Sequence, residues 1–184
     1  MKTIEIGGLY DICLDNSYEH LPEKLKEIGL GGRKVCIITD SHVAPLYLKQ
    51  IANLCCGIAS KVTHYVFDAG EASKNLSVIE KIYEKLIADK FDRKDYIIAL
   101  GGGVTGDMAG YAAATYLRGI AFVQLPTTLL AQVDSSIGGK TGVDFQQYKN
   151  MVGAFHQPEA VIADSDFLLD TAGKRNRRRY CRNY

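Results

Sequence analysis

Short apolar runs alternate with segments of helical periodicity along most of the chain. Residues 34–40 and 96–100 are largely apolar, and residues 61–67 alternate, so all three segments predict strands. Residues 43–56 and 75–90, which lie between them, repeat apolar side chains at helical spacing. Strands that alternate with helices form a parallel sheet with both faces covered. The pattern therefore predicts an α/β fold with a Rossmann-like, doubly wound parallel sheet.

Other stretches extend this pattern towards both ends of the domain. Residues 3–6 and 10–14 predict an antiparallel strand pair around a turn at Gly7 and Gly8. Further predicted elements are helices over 18–28 and 108–115 and strands over 118–126 and 159–164.

A glycine turn follows the strand predicted over residues 96–100. Gly101, Gly103 and Gly106 match G-x-G-x-x-G between a strand and a helix. Glycines let the backbone approach a phosphate, and the N–H groups of the helix start can hold the anion. However, the turn does not lie in the first strand-helix unit, and no acidic residue follows at the usual spacing. Phosphate binding is favoured over a turn that serves close packing alone.

Polar residues follow the predicted strands at the edge where such sheets bind ligands. Asp40 ends one strand, and its carboxylate can accept a hydrogen bond from a ribose hydroxyl or cap the next helix. Glu71 and Lys74 lie in the loop after the next strand. Residues 127–150 mix charged with small side chains, which favours a ligand-lined groove over a plain surface loop.

Composition excludes several classes of protein. The chain has 184 residues, of which 47% are hydrophobic and 23% charged, as in globular domains. No apolar run reaches the ~20 residues of a membrane span, and the first residues do not form a signal peptide. Five cysteines without a C-x-x-C pair favour reduced core thiols over disulfides or a metal site. We therefore expect a cytoplasmic protein with no membrane partner.

Charge is unevenly distributed along the chain. Residues 172–184 carry six of the 22 basic residues and no acidic one, which leaves 16 basic against 21 acidic residues in the remainder. Such a run can bind nucleic acid or anionic lipid, but a short unpatterned one is more often solvated. We predict an α/β domain over residues 1–171, a disordered basic tail over 172–184 and no nucleic-acid partner.

Six short motifs occur in order along the predicted domain. They are DAGEASK at 68–74, GGGVTGD at 101–107, ATYLRG at 114–119, PTTLLAQVDSS at 126–136, GGKTG at 138–142 and KN at 149–150. Together they resemble the amino-terminal half of the 3-dehydroquinate synthase family. The resemblance extends over residues 1–171 and is densest over 96–150.

The resemblance implies a lyase of the shikimate pathway of aromatic amino-acid biosynthesis. Such an enzyme converts a small-molecule substrate, the sugar acid phosphate DAHP, into 3-dehydroquinate and phosphate, with NAD and a divalent metal, zinc or cobalt, as cofactors. Alternatives are another sugar-phosphate cyclase, a metal-dependent alcohol dehydrogenase or a non-catalytic NAD-binding module. Arg118 and residues 134–140 favour a cyclase over a simple dehydrogenase, and a homodimer is left open.

The resemblance also implies roles for individual residues. The implied NAD contacts are Asp40, Glu71, Lys74, Gly102, Gly103, Val104, Asp107, Thr127, Thr128 and Leu130, with Lys149 near NAD. The implied catalytic residues, which face the substrate, are Arg118, Asp134, Lys140 and Asn150. The family's metal ligands lie beyond the matching segments, in its helical carboxy-terminal domain, so no metal ligand is assigned. We therefore expect the chain to be truncated and inactive alone.

Overall fold

The elements of the computed structural model, which describes residues 2–164, follow the predicted alternation of strands and helices. The strands are β1 Lys2–Ile6, β2 Tyr10–Asp15, β3 Lys34–Asp40, β4 Lys61–Phe67, β5 Tyr96–Gly101, β6 Ala121–Pro126, β7 Lys140–Phe145, β8 Tyr148–Phe155 and β9 Ala160–Asp164. The α-helices are α1 Leu21–Glu27, α2 Lys49–Cys56, α3 Leu76–Ala88 and α4 Gly103–Thr115. Short 3-10 or π-helical turns occupy Tyr18–His20, Ala44–Leu48, Glu71–Ser73, Tyr116–Arg118 and Ala131–Ser135.

Within residues 2–164, seven strands form one sheet in the order β1-β2-β9-β6-β5-β3-β4. Neighbouring strands are parallel except β1 and β2, which form the predicted antiparallel pair around Gly7 and Gly8. The carboxyl ends of the parallel strands therefore meet at one edge of the sheet, which we call the carboxyl edge. The opposite edge is called the amino edge.

Helices cover both faces of the sheet. Adjacent residues of a strand point to opposite faces, and β3 shows this clearly. Ile37 packs on the face covered by α1 and α2, where Ile51 is fully buried. Ile38 packs on the face covered by α3 and α4, with Ile82 and Met108. The doubly wound α/β fold predicted from the sequence is confirmed.

Two element boundaries differ from the prediction near the glycine turn. Helix α4 begins at Gly103, five residues before the predicted start at Met108. Glycine has low helix propensity, but packing against the sheet overrides it here, since a Cβ atom on Gly106 would lie 2.8 Å from Gln124 Oε1. The strand predicted over 118–126 begins later, at Ala121, because Arg118 has a left-handed φ of +70° that no strand can include.

The segment 127–150, which was predicted as a ligand-lined groove and not as a plain surface loop, contributes to an antiparallel hairpin of β7 and β8. The hairpin lies against α4, and Val143 is fully buried between them. A Cβ atom on Gly110 would lie 2.5 Å from Thr141 Cγ2. The small residues of α4 therefore let the hairpin approach the helix closely.

The remaining predictions divide between described and undescribed residues. Cys13, Cys36 and Cys55 are buried free thiols, whereas Cys56 is exposed. Burial raises the pKa of Cys55 to about 12, as expected for an unreactive core thiol. In the described part of the chain, no helix is long and apolar enough to cross a membrane. The predicted tail over 172–184, which includes the fifth cysteine, lies outside the described residues.

Candidate nucleotide-binding site

The glycine turn joins β5 to α4 at the carboxyl edge. Gly102 directly precedes the helix, and no side chain caps the helix start, so the first N–H groups lack a side-chain acceptor. A Cβ atom on Gly103 would lie 2.9 Å from Ser135 Oγ, and one on Gly102 would lie 3.2 Å from Thr128 Cγ2. Gly102, Gly103 and Val104 are nevertheless partly exposed. The turn thus presents backbone amides where side chains do not fit, which suits an anion.

The chain after β6 borders this turn. Thr127 donates its backbone N–H to the Gly101 carbonyl at 2.9 Å. Thr128 accepts a hydrogen bond from the Ala131 N–H at 3.2 Å through Oγ1, and it thereby caps the following turn. Leu130 exposes 54% of its surface. Thr127 and Thr128 therefore lie beside the glycine turn.

Asp40 ends β3, which neighbours β5 in the sheet. Its Oδ1 accepts hydrogen bonds from the N–H groups of His42 at 2.8 Å and Val43 at 3.0 Å. Thr105 Oγ1, in the first turns of α4, donates to Asp40 Oδ2 at 3.4 Å. The capping role is thus present in the structure. Because the Thr105 contact is long and weak, Oδ2 keeps acceptor capacity next to the glycine turn.

A buried lysine joins three elements at the carboxyl edge. Lys74 lies between β4 and α3 and is 5% exposed. Its Nζ donates to Asp107 Oδ2 on α4 at 2.6 Å and to Asn150 Oδ1 on β8. We call Lys74, Asp107 and Asn150 the Lys74 cluster. Lys74 is therefore in direct contact with Asp107, another predicted NAD residue, and with Asn150, a predicted substrate residue.

A second ion pair lies near this cluster. Lys149 Nζ is 3.1 Å from Glu71 Oε1, and the two side chains are 72% and 44% exposed. Exposed pairs of this kind contribute little to stability. The pair nevertheless links the hairpin to the loop after β4, and it places two more predicted NAD residues at the carboxyl edge.

The charges around the Lys74 cluster are mainly acidic. Burial raises the pKa of the Asp107 carboxyl above its ordinary value, and the carboxylates of Glu71 and Asp144 add to the rise, whereas Lys74 opposes it. Carboxylates accept hydrogen bonds and do not donate them. The arrangement can therefore accept hydrogen bonds from the hydroxyls of a sugar.

Three of the four predicted catalytic residues make no described contact with the Lys74 cluster. Arg118 follows α4 and precedes β6, so it lies at the amino edge, across the sheet from the glycine turn. Lys140 pairs with Phe155 at the end of the hairpin away from Asn150. Asp134 is exposed in the turn after β6. Their catalytic roles stay predictions.

Sequence reasoning missed two residues close to this site. Ser135 covers Gly103, and its buried Oγ has no hydrogen-bond partner within residues 2–164. Asp144 accepts the backbone N–H of Asn150 at 2.7 Å through Oδ1. An aspartate next to a short hairpin loop is a signal for such a bond, but it becomes visible only when the hairpin is recognised.

The structure offers no metal site in the part of the chain that it describes. No group of three or more His, Cys, Asp or Glu side chains is placed there to hold an ion. His156, for example, stacks on Phe122 at 5.3 Å and contacts the Ile120 carbonyl at 2.9 Å. The described residues therefore do not assemble the ligands of a metal ion.

The fold and the glycine turn define a Rossmann-like α/β domain, and sequence comparison gives the family. The profile described as 3-dehydroquinate synthase N-terminal matches residues 64–179. The chain belongs to the 3-dehydroquinate synthase family, whose N-terminal region it matches. The 3-dehydroquinate synthase of Hydrogenovibrio crunogenus is 52% identical over 167 residues, and that of Pelobacter propionicus is 47% identical over 168 residues. Each alignment covers 90% of this chain and 46% of the relative, so the chain spans about half their length.

Two solved structures of related enzymes share the fold. A 2-deoxy-scyllo-inosose synthase in complex with carbaglucose-6-phosphate, NAD+ and Co2+ is 31% identical, with a TM-score of 0.83 over 92% of this chain and 48% of that chain. The 2-epi-5-epi-valiolone synthase of Streptomyces hygroscopicus, with NAD+ and Zn2+ bound, is 29% identical, with a TM-score of 0.75 over 91% of this chain and 46% of that chain.

Proposed function

We propose that this chain provides the NAD-binding part of a 3-dehydroquinate synthase. The whole enzyme would convert DAHP into 3-dehydroquinate and phosphate with catalytic NAD and a zinc or cobalt ion. The observation that supports this most strongly is the Lys74 cluster beside the glycine turn. Three of the six family motifs, which are far apart in sequence, meet there through direct contacts.

In this proposal the glycine turn binds the pyrophosphate of NAD. The N–H groups at the start of α4 hold the anion, and Gly102 and Gly103 let this turn pack closely against Thr128 and Ser135. Asp40 and the acidic groups around Lys74 accept hydrogen bonds from ribose hydroxyls. NAD, when bound, supplies the hydride acceptor for oxidation of a substrate hydroxyl.

Substrate contacts form a separate part of the proposal. Asn150 borders the NAD-binding residues through Lys74, which supports a place for it at the boundary between cofactor and substrate. Arg118, Asp134 and Lys140 keep their catalytic roles as predictions from the family motifs. The domain limit at residue 171, a cytoplasmic location and a homodimer are also predictions.

The sequence identities of the relatives rank the alternative functions. Curated 3-dehydroquinate synthases are 47% and 52% identical to this chain, whereas two other cyclases are 31% and 29% identical. This difference favours 3-dehydroquinate synthase over another sugar-phosphate cyclase. An NAD-binding module without catalysis would share the same site residues, so only an activity assay separates it.

The test measures NAD affinity by calorimetry and phosphate release from DAHP in the presence of NAD and zinc or cobalt. We expect residues 1–184 to bind NAD without releasing phosphate. A folded chain with no NAD affinity would contradict the proposed cofactor site. Metal-dependent phosphate release would confirm the reaction and contradict the expectation that this chain is inactive alone.

A further inference from the structure

Asp144 connects the hairpin to the loop that carries Lys74. Its backbone N–H donates to the Lys74 carbonyl at 2.8 Å, and its Oδ1 accepts the Asn150 N–H at 2.7 Å. Asp144 is partly buried and is followed by Phe145, the last residue of β7 before the hairpin turn. One residue thus restrains the backbone of two members of the Lys74 cluster.

Asn150 has an uncommon backbone conformation that this hydrogen bond holds. Its φ is +52°, in the left-handed region, which asparagine adopts more often than most residues other than glycine but which is still uncommon. In this conformation its Oδ1 accepts a hydrogen bond from Lys74 Nζ. The Asp144 carboxylate stabilises the conformation through a charge-assisted bond, which is stronger than a neutral one.

We propose that Asp144 is a positioning residue of the NAD site. It holds Asn150 in the left-handed conformation, and Asn150 in turn keeps the Lys74 ammonium buried beside Asp107. Asp144 itself need not touch the cofactor. The inference rests on the function proposed above, since it assigns the Lys74 contacts to NAD binding.

Two substitutions at Asp144 separate the hydrogen-bond acceptor from the negative charge. Asp144→Ala removes the acceptor, whereas Asp144→Asn keeps an oxygen that can accept the Asn150 N–H. Asp92→Ala is the matched control, because Asp92 Oδ1 accepts the Lys94 N–H at 2.7 Å in a similar bond at the amino edge. Circular dichroism and thermal unfolding confirm that each variant is folded.

Two readouts are measured on the full 184-residue chain. The first is the rate of reductive methylation of Lys74 without ligand, followed by mass spectrometry, because this side chain is 5% exposed. The second is NAD affinity by calorimetry. We expect Asp144→Ala to raise the methylation rate and weaken NAD binding, each by about threefold to tenfold, as for the loss of one charge-assisted hydrogen bond. Asp144→Asn should restore most of both values, and Asp92→Ala should change neither.

Each outcome decides the proposal. If Lys74 is methylated in Asp144→Ala at the wild-type rate, the proposal is overturned. Faster methylation of Lys74 with unchanged NAD affinity would overturn it as well. If the wild-type chain does not bind NAD, the proposed function fails, and the proposal that Asp144 serves the NAD site fails with it. The methylation rate then still decides whether Asp144 positions Lys74.

A measurement on the wild-type chain covers the case in which Asp144→Ala does not fold. The Asn150 N–H should exchange with solvent at least about tenfold more slowly than the N–H of Gln147 in the same hairpin loop, because a hydrogen-bonded amide must open before it exchanges. Equal exchange rates would overturn the proposal.

Discussion

Two aspartates that contact lysines at opposite edges of the sheet have pKa values shifted in opposite directions. At the amino edge, Asp89 contacts Lys61 at 2.8 Å and Lys85 at 3.0 Å. The hydrogen bond from Lys61, together with Lys85, lowers the pKa of Asp89 to about 2. At the carboxyl edge, Asp107 contacts Lys74 at 2.6 Å. Burial nevertheless raises the pKa of Asp107.

The surroundings of the two carboxyls explain the difference. The side chains of Asp89 and Asp107 are similarly exposed, at 14% and 22%. Hydrogen bonds from two lysines, Lys61 and Lys85, outweigh desolvation at Asp89, whereas desolvation and the nearby carboxylates outweigh the single Lys74 at Asp107. The lysine partners also differ in burial. Lys61 is 47% exposed, whereas Lys74 is 5% exposed. The group at the amino edge therefore stabilises the fold. At the carboxyl edge, the surroundings of Asp107 disfavour its ionised form. A pKa shift of this kind is typical of binding sites.

The largest expected effect comes from removal of the lysine in each group. Lys74→Met should lower the free energy of unfolding by about 3 kcal/mol at pH 7, because it leaves Asp107 buried without its cation. Lys61→Met should cost at most about 1 kcal/mol, since Asp89 keeps Lys85 at 3.0 Å. Urea unfolding followed by circular dichroism measures both. Equal losses would contradict the difference in burial.

An intermediate effect on NAD binding is expected when a glycine at the carboxyl edge is replaced by valine, and a glycine at the amino edge provides the control. Gly103→Val should weaken NAD binding at least tenfold, or about 1.4 kcal/mol, since its Cβ would lie 2.9 Å from Ser135 Oγ and would displace the turn at the helix start. Gly31→Val, at the amino edge, is the control, because a Cβ atom there meets nothing within 4 Å. Calorimetry on folded variants should show a loss for Gly103→Val alone. Unchanged affinity would remove the glycine turn from the cofactor site.

The smallest expected effect is on the pH dependence of stability. The contribution of Asp89 is fully present above its ordinary pKa of 3.8 and is lost as the pH falls through about 2. Asp107 has the opposite sign, because its raised pKa means that stability declines as the pH rises from 3.8 through its folded value. Asp89→Asn and Asp107→Asn should each abolish their own change, which for Asp89 is about 1 kcal/mol after solvent screening.

Unfolding free energies measured between about pH 2 and 6 check both signs, because this range covers the ordinary carboxyl pKa values. The wild-type profile should rise through the window of Asp89 and decline through that of Asp107. A change of the same sign for both variants would show that the two groups do not differ as described.

The elements of the sheet were predictable because their patterns are strong. The alternation of residues 61–67 and the apolar run after Asp95 correspond to β4 and β5. The β7-β8 hairpin was missed, since Gly142 and Gly153 interrupt any alternation and allow the two strands to approach closely. The start of α4 was placed too late because glycine is a poor helix former outside this packing environment.

The candidate site was predictable to a smaller extent. Motifs identified Lys74, Asp107 and Asn150 separately, but their contacts depend on the position of the hairpin over α4. The same motifs did not indicate that Arg118 lies at the amino edge, because a helix of 13 residues separates it from the glycine turn. Motifs give residue types and order, whereas the topology of the sheet decides which residues meet.

The spacing of the Lys74 contacts along the chain has a consequence for folding. Lys74 is separated from Asp107 by 33 residues and from Asn150 by 76. At the amino edge, Lys85 is four residues from Asp89. Closing a longer loop costs more chain entropy before any contact repays it. We therefore expect the Lys85–Asp89 pair to form with its helix, whereas the cofactor site becomes complete only after the loop after β4, α4 and the hairpin have all assembled.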